Sequence, residues 1–264
     1  MTDYAVSMKN VSACYVRGKN VLENASLDIP FGVSVSVVGI NGSGKTTLLR
    51  AMCGMVDTSG TVTLAGHDIS RMKRRDIARY VSVMEADEGG SPDFTVREAV
   101  AMGRYVHKRG IFGTDPDRGA TERALCETGL EAAAEKKVTE LSGGQRQRVC
   151  LARVFAQQTP IILLDEPMNF LDLKYRTELM EYLMRWKQGH TEVDGISYQN
   201  TLIGVHHDLS LARSMAEYMI FVKEGKILMY DRIESLDLRD ALKAAYGMDA
   251  YAVMQEMAKY WTKG

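Results

Sequence analysis

Several features that would place a chain in a large functional class are missing here. Four cysteines occur in 264 residues, Cys14, Cys53, Cys126 and Cys150, scattered and without a C-x-x-C pair. That argues against a disulfide framework or a thiolate metal site, and reduced, mostly buried thiols are expected. His67, His107 and His190 show no metal-ligand spacing. No apolar run approaches the ~18 residues needed to cross a bilayer. The opening Met-Thr-Asp-Tyr lacks the basic and apolar regions of a signal peptide. The chain itself is therefore expected in the cytosol, with any membrane role coming through a partner. Charge of one sign is not in excess either: 33 Lys and Arg stand against 34 Asp and Glu, for a net charge of −1. Nucleic acid would favour a basic surface, so none is expected as a partner. What is present is 45% hydrophobic, enough for one large domain or two intimate subdomains. The sixteen methionines read as adaptable core filler.

Against that background two glycine-rich stretches stand out. The first is Gly39-Ile40-Asn41-Gly42-Ser43-Gly44-Lys45-Thr46, which satisfies G-x-x-x-x-G-K-[ST]. A strand-like Val33–Val38 run precedes it and a helix-like run from Thr47 to Met52 follows. Strand, glycine loop and helix together are the arrangement of a phosphate-binding loop. The loop N–H groups would hold α- and β-phosphates, Lys45 would reach the β- and γ-phosphates, and the Thr46 hydroxyl would ligate Mg²⁺. The second stretch is Leu141-Ser142-Gly143-Gly144-Gln145, ahead of the apolar run from Val149 to Phe155. It reads as a helix N-terminus suited to an anion, where N–H groups and the helix dipole favour negative charge.

Two apolar runs end in chemistry. Ile161–Leu164 reads as a central parallel strand and ends in Asp165-Glu166-Pro167. Asp165 would hold Mg²⁺, and Glu166 would polarise a water for in-line attack on a γ-phosphate. Thr201–Val205 ends in His206-His207-Asp208, where either histidine could meet a γ-phosphate oxygen.

With these motifs in this order, the chain resembles the ATP-binding cassette (ABC) ATPases over roughly residues 3 to 235. The resemblance implies an α/β fold: a P-loop NTPase core of ABC type, with an N-terminal antiparallel β-subdomain and an inserted α-helical subdomain. It implies the cofactors ATP and Mg²⁺. By position, Gly39 to Thr46 match the Walker A loop, with Thr47 next to it, and Leu141 to Gln145 match the signature. Asp165 matches the Walker B Asp and Glu166 the catalytic Glu, while Asn169-Phe170-Leu171-Asp172 match the D-loop. The family's switch His precedes an Asp-Leu pair, so His207 takes that role. Tyr15 lies where the family stacks an aromatic ring on adenine. Each ATP would lie between the Walker A loop of one subunit and the signature of another, with Ser142 and Gly144 completing the γ-phosphate cage. This implies a homodimer in the ATP-bound state, integral-membrane permease subunits as partners, an indirect link to a substrate-binding protein, and a peripheral place on the cytoplasmic face of the cell membrane.

One departure matters. The family reads a strand ending in Pro-Gln, whose Gln touches the metal. Here Tyr80–Met84 runs into Glu85-Ala86-Asp87-Glu88-Gly89-Gly90, which puts Ala86 at the Gln position. Glu85 or Asp87 is the expected substitute, and a solvated acidic loop is the alternative. Within the family, Val100–Tyr105, Val154–Gln157 and Leu171–Tyr175 resemble importers of iron-siderophores, haem or cobalamin. The rival readings are a soluble ABC ATPase not tied to import and a regulatory ATP-binding module.

The expected layout has a RecA-like and β core from 1–84 and 156–235, a helical subdomain at 85–155, and C-terminal helices over 236–264. Residues 4–38 read as strands of an antiparallel sheet and Gly60–Gly66 as a short strand. Arg71–Arg79 reads as a basic helix. Val96–Val106, Thr121–Gly129, Ser142–Ala156 and 174–187 read as further helices, with a loop at Thr114–Gly119. Gln188–Asn200 reads as a loop, Met219–Tyr230 as a hairpin, and 235–262 as helical.

Overall fold

A computed structural model of the chain describes residues 3–16, 18–85, 93–107, 119–169 and 171–262, with the backbone alone at 261 and 262. Strands β1 (Tyr4–Val16) and β2 (Lys19–Pro30) form the antiparallel pair that their alternation predicts. β3 (Ser34–Val38) leaves that sheet and enters a second one, so the antiparallel reading of 4–38 holds only to Pro30. The phosphate-loop sequence joins β3 to α1 (Lys45–Met52). β4 (Asp57–Leu64) then returns to pair with β1, and a turn at Ala65-Gly66 leads to β5 (His67–Asp68). The first sheet has the order β2-β1-β4-β5.

The stretch Arg71–Arg79 is not one helix. Asp68 accepts a hydrogen bond from Ser70 N and draws Ile69–Arg71 into a 3₁₀ turn. Met72 and Lys73 are extended, and a single α-turn, α2 (Arg74–Ile77), follows. Next come β6 (Val81–Glu85), α3 (Val96–Ala101), α4 (Ala120–Glu127), α5 (Gly143–Gln157) and β7 (Ile161–Asp165). The helix expected at Val96–Val106 changes after Ala101 into a 3₁₀ segment, Met102–His107. Of the loop expected at Thr114–Gly119, residues 114–118 lie outside the described residues.

α6 (Leu173–Lys187) is capped by Asp172, whose carboxylate accepts from Tyr175 N at 3.0 Å. Gln188–Asn200, expected as a loop, contains a hairpin of β8 (His190–Val193) and β9 (Ile196–Gln199). Its turn is Asp194-Gly195, both at positive φ (52° and 78°), the conformation a tight hairpin turn requires. Val193 and Tyr198 are its buried residues. The Tyr198 ring lies 4.9 Å from that of Phe31, and Arg79 pairs with Asp194 at 2.5 Å. β10 (Thr201–Val205), α7 (Leu209–Met215), β11 (Tyr218–Lys223) and β12 (Lys226–Arg232) complete the second sheet and its covering. The helical stretch expected at 235–262 is two helices, α8 (Leu238–Tyr246) and α9 (Ala250–Thr262). Gly247 separates them in the left-handed conformation that ends α8.

The second sheet has the order β12-β11-β3-β10-β7-β6, with β11 through β6 parallel. Successive side chains of its strands face opposite layers. On β7, Ile161 and Leu163 join a core shared with β1, β2, β4 and α1. Ile162 and Leu164 join a second core shared with α3, α4, α5 and α6. Burial on both faces explains why Ser34 and Ser36, which look like a polar face in the sequence, are each 1% exposed. Ser36 Oγ donates to Ala212 O of α7 at 2.8 Å. At one edge of this sheet, Gln157 Nε2 donates to Ala78 O at 2.8 Å and Val81 O at 3.2 Å, at the start of β6.

Candidate active site

A parallel sheet gathers at one end whatever follows its strands, and ligands bind beyond their carboxyl ends. Here the register aligns Val37 of β3 with Val205 of β10, and Val205 and Glu85 with Asp165 of β7. The phosphate loop, Glu166, and His206 and His207 all emerge at this end.

The loop is built for close approach. At Gly39 (φ +156°) a Cβ would lie 2.1 Å from Val222 O, so no larger residue fits. α1 begins after Gly44 without a side-chain cap, which leaves its first N–H groups to whatever the loop receives. Lys45 is 5% exposed, and its ammonium donates to Gly39 O at 2.9 Å and Ile40 O at 3.0 Å. Burial lowers the Lys45 pKa, opposed by the nearby carboxylates of Glu166 and Asp165. Ser43 Oγ is buried and has no hydrogen-bond partner. Asn41 and Gly42 are exposed. A buried hydroxyl without a partner, an inward ammonium and an uncapped helix start fit a polyphosphate.

Thr46 Oγ1 donates to Asp165 Oδ1 at 2.9 Å, which brings the two expected metal ligands together. Burial raises the Asp165 pKa, and the Thr46 bond opposes it. Among the described residues no three His, Cys, Asp or Glu side chains converge as a metal group. A divalent ion held by Thr46 and Asp165 would therefore take its other oxygens from the nucleotide and water. Tyr15 is 53% exposed, and its hydroxyl accepts long bonds from Thr47 Oγ1 (3.4 Å) and Arg50 Nη1 (3.5 Å). This places its ring beside α1.

Glu166 has φ +56°, a left-handed backbone that costs a non-glycine residue about 1–2 kcal/mol. Asn169 holds it twice, N–H to Glu166 O at 3.2 Å and Nδ2 to Oε2 at 2.6 Å. His207 Nε2 lies 2.5 Å from Glu166 Oε1. The histidine pair thus divides its roles by burial. His206 is 4% exposed, and burial pushes its pKa down to about 4, so it stays neutral. His207 is the one that faces the carboxylate. A cavity of about 110 Å³ opens here, lined among others by Glu166, Asn169 and His207. A larger one of about 580 Å³ lies elsewhere, between α4, α6 and the β8–β9 hairpin; no residue of the phosphate loop, the signature or the two strand-end motifs lines it, whereas Arg104 and Phe155 of the importer-like stretches do.

The signature stretch opens α5. Ser142 Oγ accepts from Gln145 N, and Gln145 Oε1 accepts from Ser142 N at 3.0 Å. This is a capping box, and Ser-x-x-Gln was its sequence signal. Ser142 and Gly143 are exposed. Gly144 is buried, and a Cβ there would lie 2.5 Å from the Tyr175 ring of α6. Its smallness thus serves packing between α5 and α6, a reason the sequence reading did not reach. Leu141 belongs to the core of α3, α4 and α5, whereas α1 belongs to the core on the other face of the sheet.

Of the substitutes expected for the missing Gln, Asp87 lies outside the described residues, as do Ala86 and Phe170. Glu85 stands in register with Asp165, and its carboxylate pairs with Arg50 at 3.4 Å. Two residues were not anticipated as parts of the site: Asn169 as a direct clamp on Glu166, and Gln147. Gln147 is 3% exposed, and its Nε2 donates to Pro167 O at 2.7 Å.

The ABC transporter family profile matches residues 22–169. The cobalamin import ATP-binding protein BtuD of Halobacterium salinarum is 36% identical over 230 residues, 87% of this chain. The chain spans 56% of that relative's length. The ferric enterobactin transport ATP-binding protein FepC of Escherichia coli K12 is 34% identical over 254 residues, covering 94% of this chain and 90% of the relative. Among solved structures, a dimeric bacterial ABC transporter cassette superposes with a TM-score of 0.72 at 28% identity, over 88% of this chain and all of that one. A match over more than half the chain, spanning the loop, the signature and the Asp165-Glu166 strand end, shows that this chain belongs to the ABC transporter family.

Proposed function

We propose that the chain is the ATP-hydrolysing subunit of an importer for metal chelates of the iron-siderophore, haem or cobalamin type. It would act as a homodimer bound to membrane permease subunits on the cytoplasmic side, with a substrate-binding protein linked through the permease. The observation that carries the hydrolytic part is the convergence of Lys45, Thr46–Asp165 and Glu166–His207 at one end of the sheet. The cargo class rests on relatives named for cobalamin import and ferric enterobactin transport. The layout we favour has a β core at 1–84 and 156–235, a helical subdomain at 85–155 and C-terminal helices at 236–264. α3, α4 and α5 pack on one another in the core on one face of the parallel sheet, which supports grouping them.

In this reading Lys45 and the N–H groups of Gly42, Ser43, Gly44, Lys45 and Thr46 bind the phosphates, with Asn41 and Thr47 beside them and Tyr15 against the base. Thr46 and Asp165 would hold Mg²⁺, which would supply neutralisation of the phosphate charge. Glu166 orients a water and takes its proton as the water oxygen bonds to the γ-phosphorus. The bond to the bridging oxygen breaks, giving ADP and inorganic phosphate. His207 fixes the carboxylate and can donate to a γ-oxygen. Ser142, Gly143, Gly144 and Gln145 of a second copy cap the nucleotide, excluding water and completing the alignment. Glu85 is our candidate for the metal contact that the family makes with Gln; a Glu85→Ala chain with parental Mg²⁺ dependence would remove it from consideration.

The deciding experiment is Glu166→Gln. It should bind ATP and dimerise with it while phosphate release falls at least ~100-fold, the scale of a lost general base. A chain that stays monomeric with ATP, or that hydrolyses at the parental rate, would overturn the reading.

A further inference from the structure

Gln147 is the fifth residue of α5, one helical turn beyond Gly143. Its side-chain amide carries two N–H donors. It is aimed at two backbone carbonyls from separate segments: Pro167 O at 2.7 Å, and Glu85 O at a longer 3.4 Å. Pro167 directly follows Glu166, the residue in left-handed backbone. Glu85 is the last residue of β6 and stands in register with Asp165. The two Asn169 bonds that clamp Glu166 come from within its own loop. The Gln147 bond comes from another element, the one whose first turn is the signature.

We propose that Gln147 is a positioning residue that couples the signature end of α5 to Glu166 of the same chain. The inference rests on the reading that Ser142 and Gly143 cap a nucleotide held by a second copy. Contact between α5 and the partner's nucleotide then bears, through the Gln147 amide, on the peptide next to Glu166. Glu166 faces the chain's own nucleotide, so each site sets the competence of the other. A buried glutamine that merely satisfies its own amide would have no such effect.

Gln147→Met keeps length and volume and removes both donors. Its fluorescent-nucleotide affinity should stay within ~3-fold of the parent, while kcat falls ~10- to 100-fold, as for misplaced catalytic groups. The Hill coefficient of hydrolysis should fall from near two, the number of sites, to near one. Parental kcat and Hill coefficient in this variant would overturn the proposal. ATP-dependent dimerisation of Glu166→Gln should survive addition of Gln147→Met; its loss only in the double variant would overturn the proposal while leaving the dimer reading intact. If Glu166→Gln alone stays monomeric with ATP, the dimer reading falls and this proposal with it. A second substitution guards against misfolding. Gln147→Glu repels both carbonyls when ionised and donates one O–H when protonated. Its kcat relative to the parent should recover as pH is lowered from 8 to 6, and a flat ratio would overturn the proposal.

Discussion

His207 Nε2 and Glu166 Oε1 lie 2.5 Å apart, joining the residue after one parallel strand to a residue two positions past the end of the next. Neither side chain is deeply buried, so the contact has to be held by its surroundings. Asp208 does part of this, capping α7 with bonds from Ser210 N and Leu211 N. Asn169 does the rest from the other side of Glu166.

His207→Ala should therefore leave ATP binding unchanged and lower phosphate release by ~10- to 100-fold. That is less than removal of the base itself, since Asn169 still holds the carboxylate. Steady-state phosphate release beside an equilibrium binding measurement checks both halves.

Asp165 is held above the usual carboxylate range by burial, so its charge is costly to the fold. Asp165→Asn should raise the urea midpoint of the chain and at the same time reduce Mg²⁺-dependent turnover ~100-fold or more. Denaturation in the presence of a chelator, beside an Mg²⁺ titration of turnover, tests the opposed signs.

Gly143→Ala and Gly144→Ala should part company. Alanine gains up to ~1 kcal/mol over glycine in a helix. At Gly144 that gain meets the Tyr175 ring 2.5 Å from the new Cβ, and overpacking costs about 1–3 kcal/mol. Gly144→Ala should be destabilised by about 1–2 kcal/mol, and Tyr175→Ala should relieve it. At Gly143 a Cβ would meet only the end of the Arg146 side chain, at 3.9 Å, so its alanine variant should keep or slightly raise the parental midpoint and lose only ATP-dependent dimerisation.

His206 predicts an acid-sensitive fold. Unfolded, it binds a proton below about pH 6.5; folded, only below about pH 4. Between those values the unfolded chain holds more protons, so stability is complete above pH 6.5 and declines as pH falls towards 4. The loss is on the order of 3 kcal/mol. Asp165 works in the opposite sense, so the check is a comparison of urea midpoints at pH 7 and pH 5 for the parent and His206→Gln. The variant should show the shallower decline.

Much of the fold was legible because the local signals agreed with it. The strand, glycine loop and helix at 34–52 and the apolar run at 161–164 needed no tertiary information. The failures have local causes. Gln188–Asn200 is polar enough to resemble a loop, but Asp194-Gly195 is a hairpin turn signal and Val193 and Tyr198 supply the buried face. The basic residues of Arg71–Arg79 suggest one solvated helix, but Asp68 before Ser70 is a capping pattern that starts a tight turn. In the site, residue types and strand ends could be read directly. The clamps could not: Gln147 and Tyr175 act through contacts between separate elements, and Asn169 reaches Glu166 through a left-handed turn that their three-residue spacing does not announce. The histidine pair shows the same divide: the residues alone leave both open and the family resemblance selects His207, whereas the buried, neutral state of His206 is a property of packing alone.

The Gln157 amide at the start of β6 bears on how two copies can meet. β6 is one edge of the parallel sheet, and edges invite a foreign strand to add on. Gln157 already occupies the carbonyls of Ala78 and Val81 there. The opposite edge, β12, carries Lys226, Asp231 and Arg232, charges that oppose strand addition. Addition of a second molecule's strand to this sheet, and the fibres such addition leads to, are thus disfavoured at both of its ends.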